Sequence, residues 1–150
     1  MRTLVFIPAW NEEASVDAVI ADVRAHLPEA DILIVDDGST DTTTARAQAA
    51  GVIVATLPFN QGLGAALQTG YLWGLRQGYD FCAHLDADGQ HPPAEVARLL
   101  EEVRAGRAVV DNEDLGSGHA LAHVRDHRGD RVLLVPGRNE DQRPHQPILP

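Results

Sequence analysis

Short apolar runs alternate with stretches in which apolar residues recur every three or four positions. Residues 3–8 are a strand-length run closed by Pro8, and residues 31–36, Asp-Ile-Leu-Ile-Val-Asp, form a second run rich in β-branched side chains. Between them Val16, Val19, Ile20, Val23 and Leu27 keep helical spacing, with Ser15 at the N-cap position and Pro28 beyond the end. The rhythm repeats: a helix from about Asp41 to Ala50, a strand Val52–Thr56, a helix from about Leu63 to Gln77, a strand Phe81–Asp86 and a helix from about Pro92 to Arg104. Buried strands alternating with helices at this spacing predict a parallel sheet covered on both faces, because each crossover returns over the sheet in a right-handed sense. The fold expected is α/β, a Rossmann-like half-domain.

The rhythm stops near Gly106. Residues 111–150 mix Asp, Arg, His, Gly and Pro, only Arg131–Val135 has strand character, and prolines 136, 144, 147 and 150 punctuate the rest. Two regions are therefore expected: a domain over residues 1–106 and an atypical, largely disordered tail over 107–150. His119, His123 and His127 share the spacing of one helix face and could align for a metal there, but Gly116, Gly118 and Gly129 argue against that helix.

Composition narrows the function classes. A formal charge of −10 without a single lysine excludes a nucleic-acid-binding surface, which needs clustered cations. Phosphate bound by so acidic a chain calls for a metal ion. No apolar run approaches the roughly 20 residues of a membrane helix, so membrane contact is expected to be at most peripheral. The single Cys82, in apolar surroundings, reads as an unpaired buried thiol in a cytoplasmic setting.

Ligands of open parallel sheets bind beyond the carboxyl ends of the strands. Four segments fall there: Pro8-Ala9-Trp10-Asn11-Glu12, Asp36-Asp37-Gly38-Ser39-Thr40-Asp41, Asn60-Gln61-Gly62-Leu63-Gly64-Ala65-Ala66 and Asp86-Ala87-Asp88-Gly89-Gln90-His91. Asp86 and Asp88, two carboxylates at a strand end, suit Mg²⁺ or Mn²⁺, and Gln90 could add a carbonyl oxygen. The alternative is an acidic turn in which Asp88-Gly89 makes the bend. Asp36 and Asp37 close an apolar strand and could accept from a base or a ribose, while Asp41 reads as a helix cap. Trp10 could lay a flat face beside a base and Glu12 could accept from donors, although Asn11, Glu12 and Glu13 also suit a helix N-terminus. Gly62-x-Gly64 lacks the third glycine of a dinucleotide fingerprint, so Gly64, Ala65, Ala66 and Gly70 read instead as a small-residue face for close helix-to-sheet packing.

Together, Ile-Pro-Ala-Trp-Asn-Glu-Glu, Val-Asp-Asp-Gly-Ser-Thr-Asp, Asn-Gln-Gly-Leu-Gly-Ala-Ala and Asp-Ala-Asp-Gly-Gln-His-Pro resemble, in order, the motifs of family 2 glycosyltransferases of the dolichyl- or polyprenyl-phosphate mannose/glucose synthase type. The resemblance covers about residues 1–106 and implies a GT-A fold. It implies that Pro8, Trp10 and Glu12 line a nucleotide pocket, that Val35 and Asp37 contact the nucleoside, and that Asp86 and Asp88 bind diphosphate and metal. Gln90 would complete the shell around Mg²⁺ or Mn²⁺, and Asp88 would carry the catalytic role. The donor implied is a GDP- or UDP-hexose, and the acceptor a polyprenyl phosphate or similar lipid phosphate at the inner face of a membrane. Downstream, Ala108-Val109-Val110 runs into Asp111-Asn112-Glu113-Asp114 where the family has a Gly-Ser-Arg-type strand end, so the chain reads as truncated. Two functions follow: inverting hexosyl transfer, or donor binding by an inactive fragment. A nucleotidyltransferase is disfavoured, lacking a Gly-rich N-terminal loop followed by Arg and Lys.

Overall fold

A computed structural model describes residues 2–86, 93–105, 110–114, 120–125 and 131–134. The expected alternation is present: β1 Thr3–Ala9, α1 Val16–His26, β2 Ala30–Asp36, α2 Thr43–Ala49, β3 Ile53–Thr56, α3 Leu63–Arg76, β4 Phe81–His84 and α4 Pro93–Arg104. The four strands form one parallel sheet in the order β3-β2-β1-β4. The chain steps outward from β1 to β3 on one side and returns to place β4 on the other. The C-terminal ends of β1 and β4 thus flank the topological switch point, where doubly wound sheets open a crevice.

Strand alternation divides the core into two layers. Val5 and Ile7 of β1, Ile32 and Ile34 of β2, and Ala83 of β4 pack with Val16, Ile20 and Val23 of α1, Ala47 of α2, and Val96 and Leu100 of α4. Leu4, Phe6, Leu33, Val35 and Cys82 point to the other face, where they meet Ala66, Leu67, Tyr71 and Trp73 of α3. A parallel sheet buried on both sides requires such uninterrupted apolar strands.

Helix α3 sits unusually close to the sheet. A Cβ on Gly70 would lie 2.2 Å from the Phe6 ring, and one on Gly74 would lie 2.1 Å from the Cys82 sulfur. The small-residue face is therefore Ala66, Gly70 and Gly74; Gly64, expected on it, would place a Cβ in open space. Cys82 is a free, buried thiol, and burial pushes its pKa up to about 12, which keeps it protonated and unreactive.

Within the polar region after Gly106 the described residues are three short strands. They are β5 Val110–Asp114, β6 Ala120–Arg125 and β7 Arg131–Leu134, an antiparallel sheet in the order β5-β6-β7. Only β7 is legible in the sequence; β5, Val-Asp-Asn-Glu-Asp, consists mostly of residues that strands disfavour, and its pairing with β6 overrides that preference. His123 lies in β6. The helix that would have aligned it with His119 and His127 is therefore absent at that position, and those two histidines lie outside the described residues. No described helix is long and apolar enough to cross a membrane.

Candidate functional site

A cleft of about 410 Å³ opens at the switch point, lined by Pro8, Ala9, Trp10 and Glu12 after β1, Asp37 after β2, Asn60, Gly62, Leu63 and Ala66 around the start of α3, and Asp86 after β4. Each of the four strand-end segments contributes. Of the expected site residues, Pro8, Trp10, Glu12, Asp37 and Asp86 share this cavity. Trp10 is 53% exposed, an apolar ring at the rim of the cleft.

The loops around the cleft are tied together by their own polar side chains. The amide of Asn11 donates to Ser39 Oγ at 2.9 Å, and Asn11 Oδ1 accepts from the Thr40 amide at 2.9 Å. The Glu12 amide donates to Thr43 Oγ1 at 2.8 Å, and the Glu13 amide to Asp41 Oδ2 at 3.1 Å. Glu13 Oε2 accepts in return from the amide and hydroxyl of Thr42, at 3.1 and 2.7 Å. Asp41 also accepts from the Thr43 amide at 2.9 Å, where α2 begins; the N-cap position itself is Thr42, one residue later than the sequence suggested, and Asp41 satisfies the first helical amide from just outside the helix. The first two motifs thus form a clasp between the β1–α1 and β2–α2 loops as well as a cleft wall.

The two adjacent aspartates have different surroundings. Asp36 is fully buried and accepts from the Ser39 amide at 3.0 Å and from the Thr44 hydroxyl, so its carboxylate serves the loop and is not brought to the cleft. Asp37, 4% exposed, accepts from the Gln61 amide at 2.7 Å and the Gly62 amide at 2.8 Å while facing the cavity. Glu12 lines the cleft and also accepts from Ser15, whose hydroxyl donates to it and leaves the first turn of α1 without a side-chain cap. Val35 is a correction: its side chain is fully buried among Leu4, Phe6, Leu33 and Ala66, on the α3 face of β2. The residue as a whole is 0% exposed, pairs with β1 and β3 on its two sides, and does not line the cleft. Asp88 and Gln90 lie outside the described residues, and no cluster of three or more metal-ligating His, Cys, Asp or Glu occurs among the described ones. Asn60 and Leu63 line the cleft although sequence reasoning gave them no individual role, and Ala66, expected only on the packing face of α3, lines it too; their place in the segment between β3 and the first turn of α3 was the available signal.

The clasp has a pH dependence of definite sign. Hydrogen bonds from the Thr42 hydroxyl and amide hold the Glu13 carboxyl below its ordinary range. At Asp41 partial desolvation opposes the charge, but hydrogen bonds from Thr43 and from the Glu13 amide outweigh it and also lower the pKa. Carboxyls depressed in the folded state stabilise it fully above their unfolded pKa values, and that contribution fades as the pH falls through the folded values. Amide protection at Glu13, Thr42 and Thr43 should therefore hold at neutral pH and drop below about pH 4, while β1 stays protected. Equal protection of the clasp amides at about pH 3 and pH 6, after correction for intrinsic exchange, would remove the carboxylates' role.

The chain is 39% identical over 123 residues to an undecaprenyl-phosphate mannosyltransferase of Micrococcus luteus, covering 79% of this chain and 51% of the relative. It is 43% identical over 111 residues to a polyprenol monophosphomannose synthase of Mycolicibacterium smegmatis, covering 70% of this chain and 42% of the relative. The chain thus spans about half or less of the length of these relatives. Among solved structures, glucosyl-3-phosphoglycerate synthase from Mycobacterium tuberculosis, in complex with Mn²⁺, UDP and phosphoglyceric acid, matches with a TM-score of 0.59 and 28% identity over 73% of this chain and 41% of that one. S. aureus TarS shares the fold at a TM-score of 0.58 and 18% identity, with 78% of this chain and 37% of that one covered. The model of the family described as glycosyl transferase family 2 matches residues 4–143, and the chain belongs to that family.

Proposed function

We propose that the cleft binds the nucleoside diphosphate of a GDP- or UDP-hexose together with Mg²⁺ or Mn²⁺, for inverting transfer of the hexose to a polyprenyl phosphate or similar lipid phosphate. The observation that carries this reading is that Asp86, at the end of β4, shares one cavity with Trp10, Glu12 and Asp37 at the switch point of a family 2 fold. Trp10 offers the base a flat apolar face, and Pro8 and Glu12 shape the same wall. Asp37, which faces the cavity, addresses the nucleoside.

The donor chemistry fits a hard cation: carboxylate and amide oxygens are the ligands Mg²⁺ and Mn²⁺ prefer, and Asp86, Asp88 and Gln90 would hold the ion. Bound there, it would supply charge neutralisation to the departing nucleoside diphosphate, and Asp88 would take its catalytic role by holding it. A phosphate acceptor is already ionised, so positioning replaces a general base. The setting proposed is cytoplasmic, with peripheral contact at the membrane face that presents the lipid phosphate. A second reading, donor binding without transfer by these 150 residues alone, is favoured by the 42–51% share of the relatives that the chain matches.

Calorimetry with GDP- and UDP-hexoses, in Mn²⁺ and then with chelator, tests the reading. Binding should require the metal, and Asp88→Asn should weaken metal-linked binding by about 1–3 kcal/mol, the scale of losing a charged partner. Equal affinity with and without chelator would refute the metal site. Incubation with a polyprenyl phosphate separates the two readings: hexosyl transfer supports the first, and donor binding without transfer the second.

A further inference from the structure

We propose that a second cavity, at the opposite end of the sheet from the cleft, binds a small organic cation, an ammonium head on a short apolar body. The cavity has a volume of about 200 Å³ and lies where β1 and β2 begin and α1 and α4 end. Thr3 of β1 lines it, whereas Pro8 and Ala9, at the far end of the same strand, line the cleft. The two sites are therefore separate, and this one does not depend on the nucleotide reading.

Small residues leave the space open. Thr3 and Ala30 are register partners across β1 and β2, and Ala97 stands opposite on α4, one turn before Leu100. Leu27 and Leu100 supply apolar wall. Thr3 alternates with Val5 and Ile7, which pack against α1 and α4, so its side chain is directed to the face on which the cavity lies. The residue is 2% exposed, and its hydroxyl is shut off from bulk solvent with no hydrogen-bond partner among the described residues. A hydroxyl in that state costs free energy until it meets a donor or acceptor. One step of χ1 between staggered rotamers offers it to whatever occupies the cavity.

The charge around the cavity decides what that occupant is. Helices α1 and α4 both bring their C-terminal ends here, and the partial negative charge of unpaired terminal carbonyls favours a cation. Glu29 and Glu101 add two exposed carboxylates at the mouth. Arg104 opposes them, while His26 is already engaged by Asp22 at 3.0 Å. Two helix ends and two carboxylates against one guanidinium leave the cavity net negative. An ammonium N–H can donate to the Thr3 hydroxyl and to the carboxylates, and a hydrocarbon body covers Leu27 and Leu100. An anion would meet Arg104 and repulsion from everything else.

The test uses three probes with one body and different heads, n-butylammonium, n-butanol and butyrate, titrated into the 150-residue chain and followed by amide chemical shifts. n-Butylammonium should give saturable shifts at Thr3, Leu27, Ala30 and Leu100, bind about fivefold tighter than n-butanol, and lose that advantage in high salt. Butyrate should bind weakest. Glu29→Gln combined with Glu101→Gln should bring n-butylammonium to the level of n-butanol. Thr3→Val replaces the hydroxyl by a methyl; it should raise the thermal midpoint and yet weaken n-butylammonium about fivefold, the scale of one lost hydrogen bond. A hydroxyl with a purely structural role predicts the opposite, a lower midpoint and unchanged binding. Ala97→Leu should fill the space and abolish the shifts. The proposal is overturned if n-butylammonium gives no saturable shifts at this edge of the sheet, if n-butanol or butyrate binds as tightly, or if Thr3→Val leaves n-butylammonium affinity unchanged.

Discussion

Gly70→Ala is expected to destabilise the fold by about 2 kcal/mol, although alanine is the better helix former by about 1 kcal/mol. The added methyl would stand 2.2–2.6 Å from three atoms of the Phe6 ring. Phe6 cannot retreat: it is fully buried in the middle of β1, and its ring packs edge-on against Tyr71 at 4.8 Å between centroids. Overpacking a core costs about 1–3 kcal/mol, occasionally more, and a rigid neighbour puts this site at the upper end. Gly70→Val should cost more again. Gly64→Ala is the internal control, because nothing lies within 4 Å of its Cβ, and it should be neutral or stabilising by up to about 1 kcal/mol. Urea unfolding midpoints check all three. The cause is isolated by Phe6→Leu, which removes ring atoms and should be less harmful in the Gly70→Ala background than in the wild type. Strict additivity of the two changes would mean that α3 does not press on Phe6.

That glycine also shows what the sequence could and could not disclose. The four parallel strands and four helices were legible to within two residues at their ends, because a sheet buried on both faces leaves continuous apolar strands and periodic helices. Helical spacing places Gly70 and Gly74 one turn apart but does not say that a phenylalanine and a cysteine fill the space above them. The location of the site was legible for a similar reason: strand ends of a doubly wound sheet converge on one edge, so Pro8, Trp10, Glu12, Asp37 and Asp86 could be expected together from their places in the sequence. The burial of Val35 was less visible, since it depends on which strand face α3 covers. The division of labour between Asp36 and Asp37 was not visible at all. Neighbours on a strand point to opposite faces, and only the loops that close over each determine which carboxylate is consumed internally. The strands β5 and β6 lay beyond reach because their pairing overrides a polar composition, and local patterns do not report such long-range partners.

The β2–α2 loop is where fold and site depend most directly on one residue, and Gly38→Ala should cost about 3–5 kcal/mol of stability and abolish nucleotide binding together. Gly38 has φ +70°, a left-handed conformation that alone costs a residue with a Cβ roughly 1–2 kcal/mol. Its Cβ would also lie 2.5–2.7 Å from main-chain atoms of Phe59 and Asn60. Main chain cannot rotate aside as a side chain would. The segment that would have to move carries Asn60 and leads into Gln61 and Gly62, whose amides hold Asp37. Displacing it would release the Asp37 carboxylate and turn Asn60 away from the cleft in one step. Gly51→Ala is the matched comparison, with nearly the same φ, +71°, but open space around its Cβ and no place in the cleft. It should cost only the left-handed strain, about 1–2 kcal/mol, and leave nucleotide affinity unchanged. If the two variants lose equal stability and both still bind nucleotide, the contact between the β2–α2 and β3–α3 loops has no part in shaping the site.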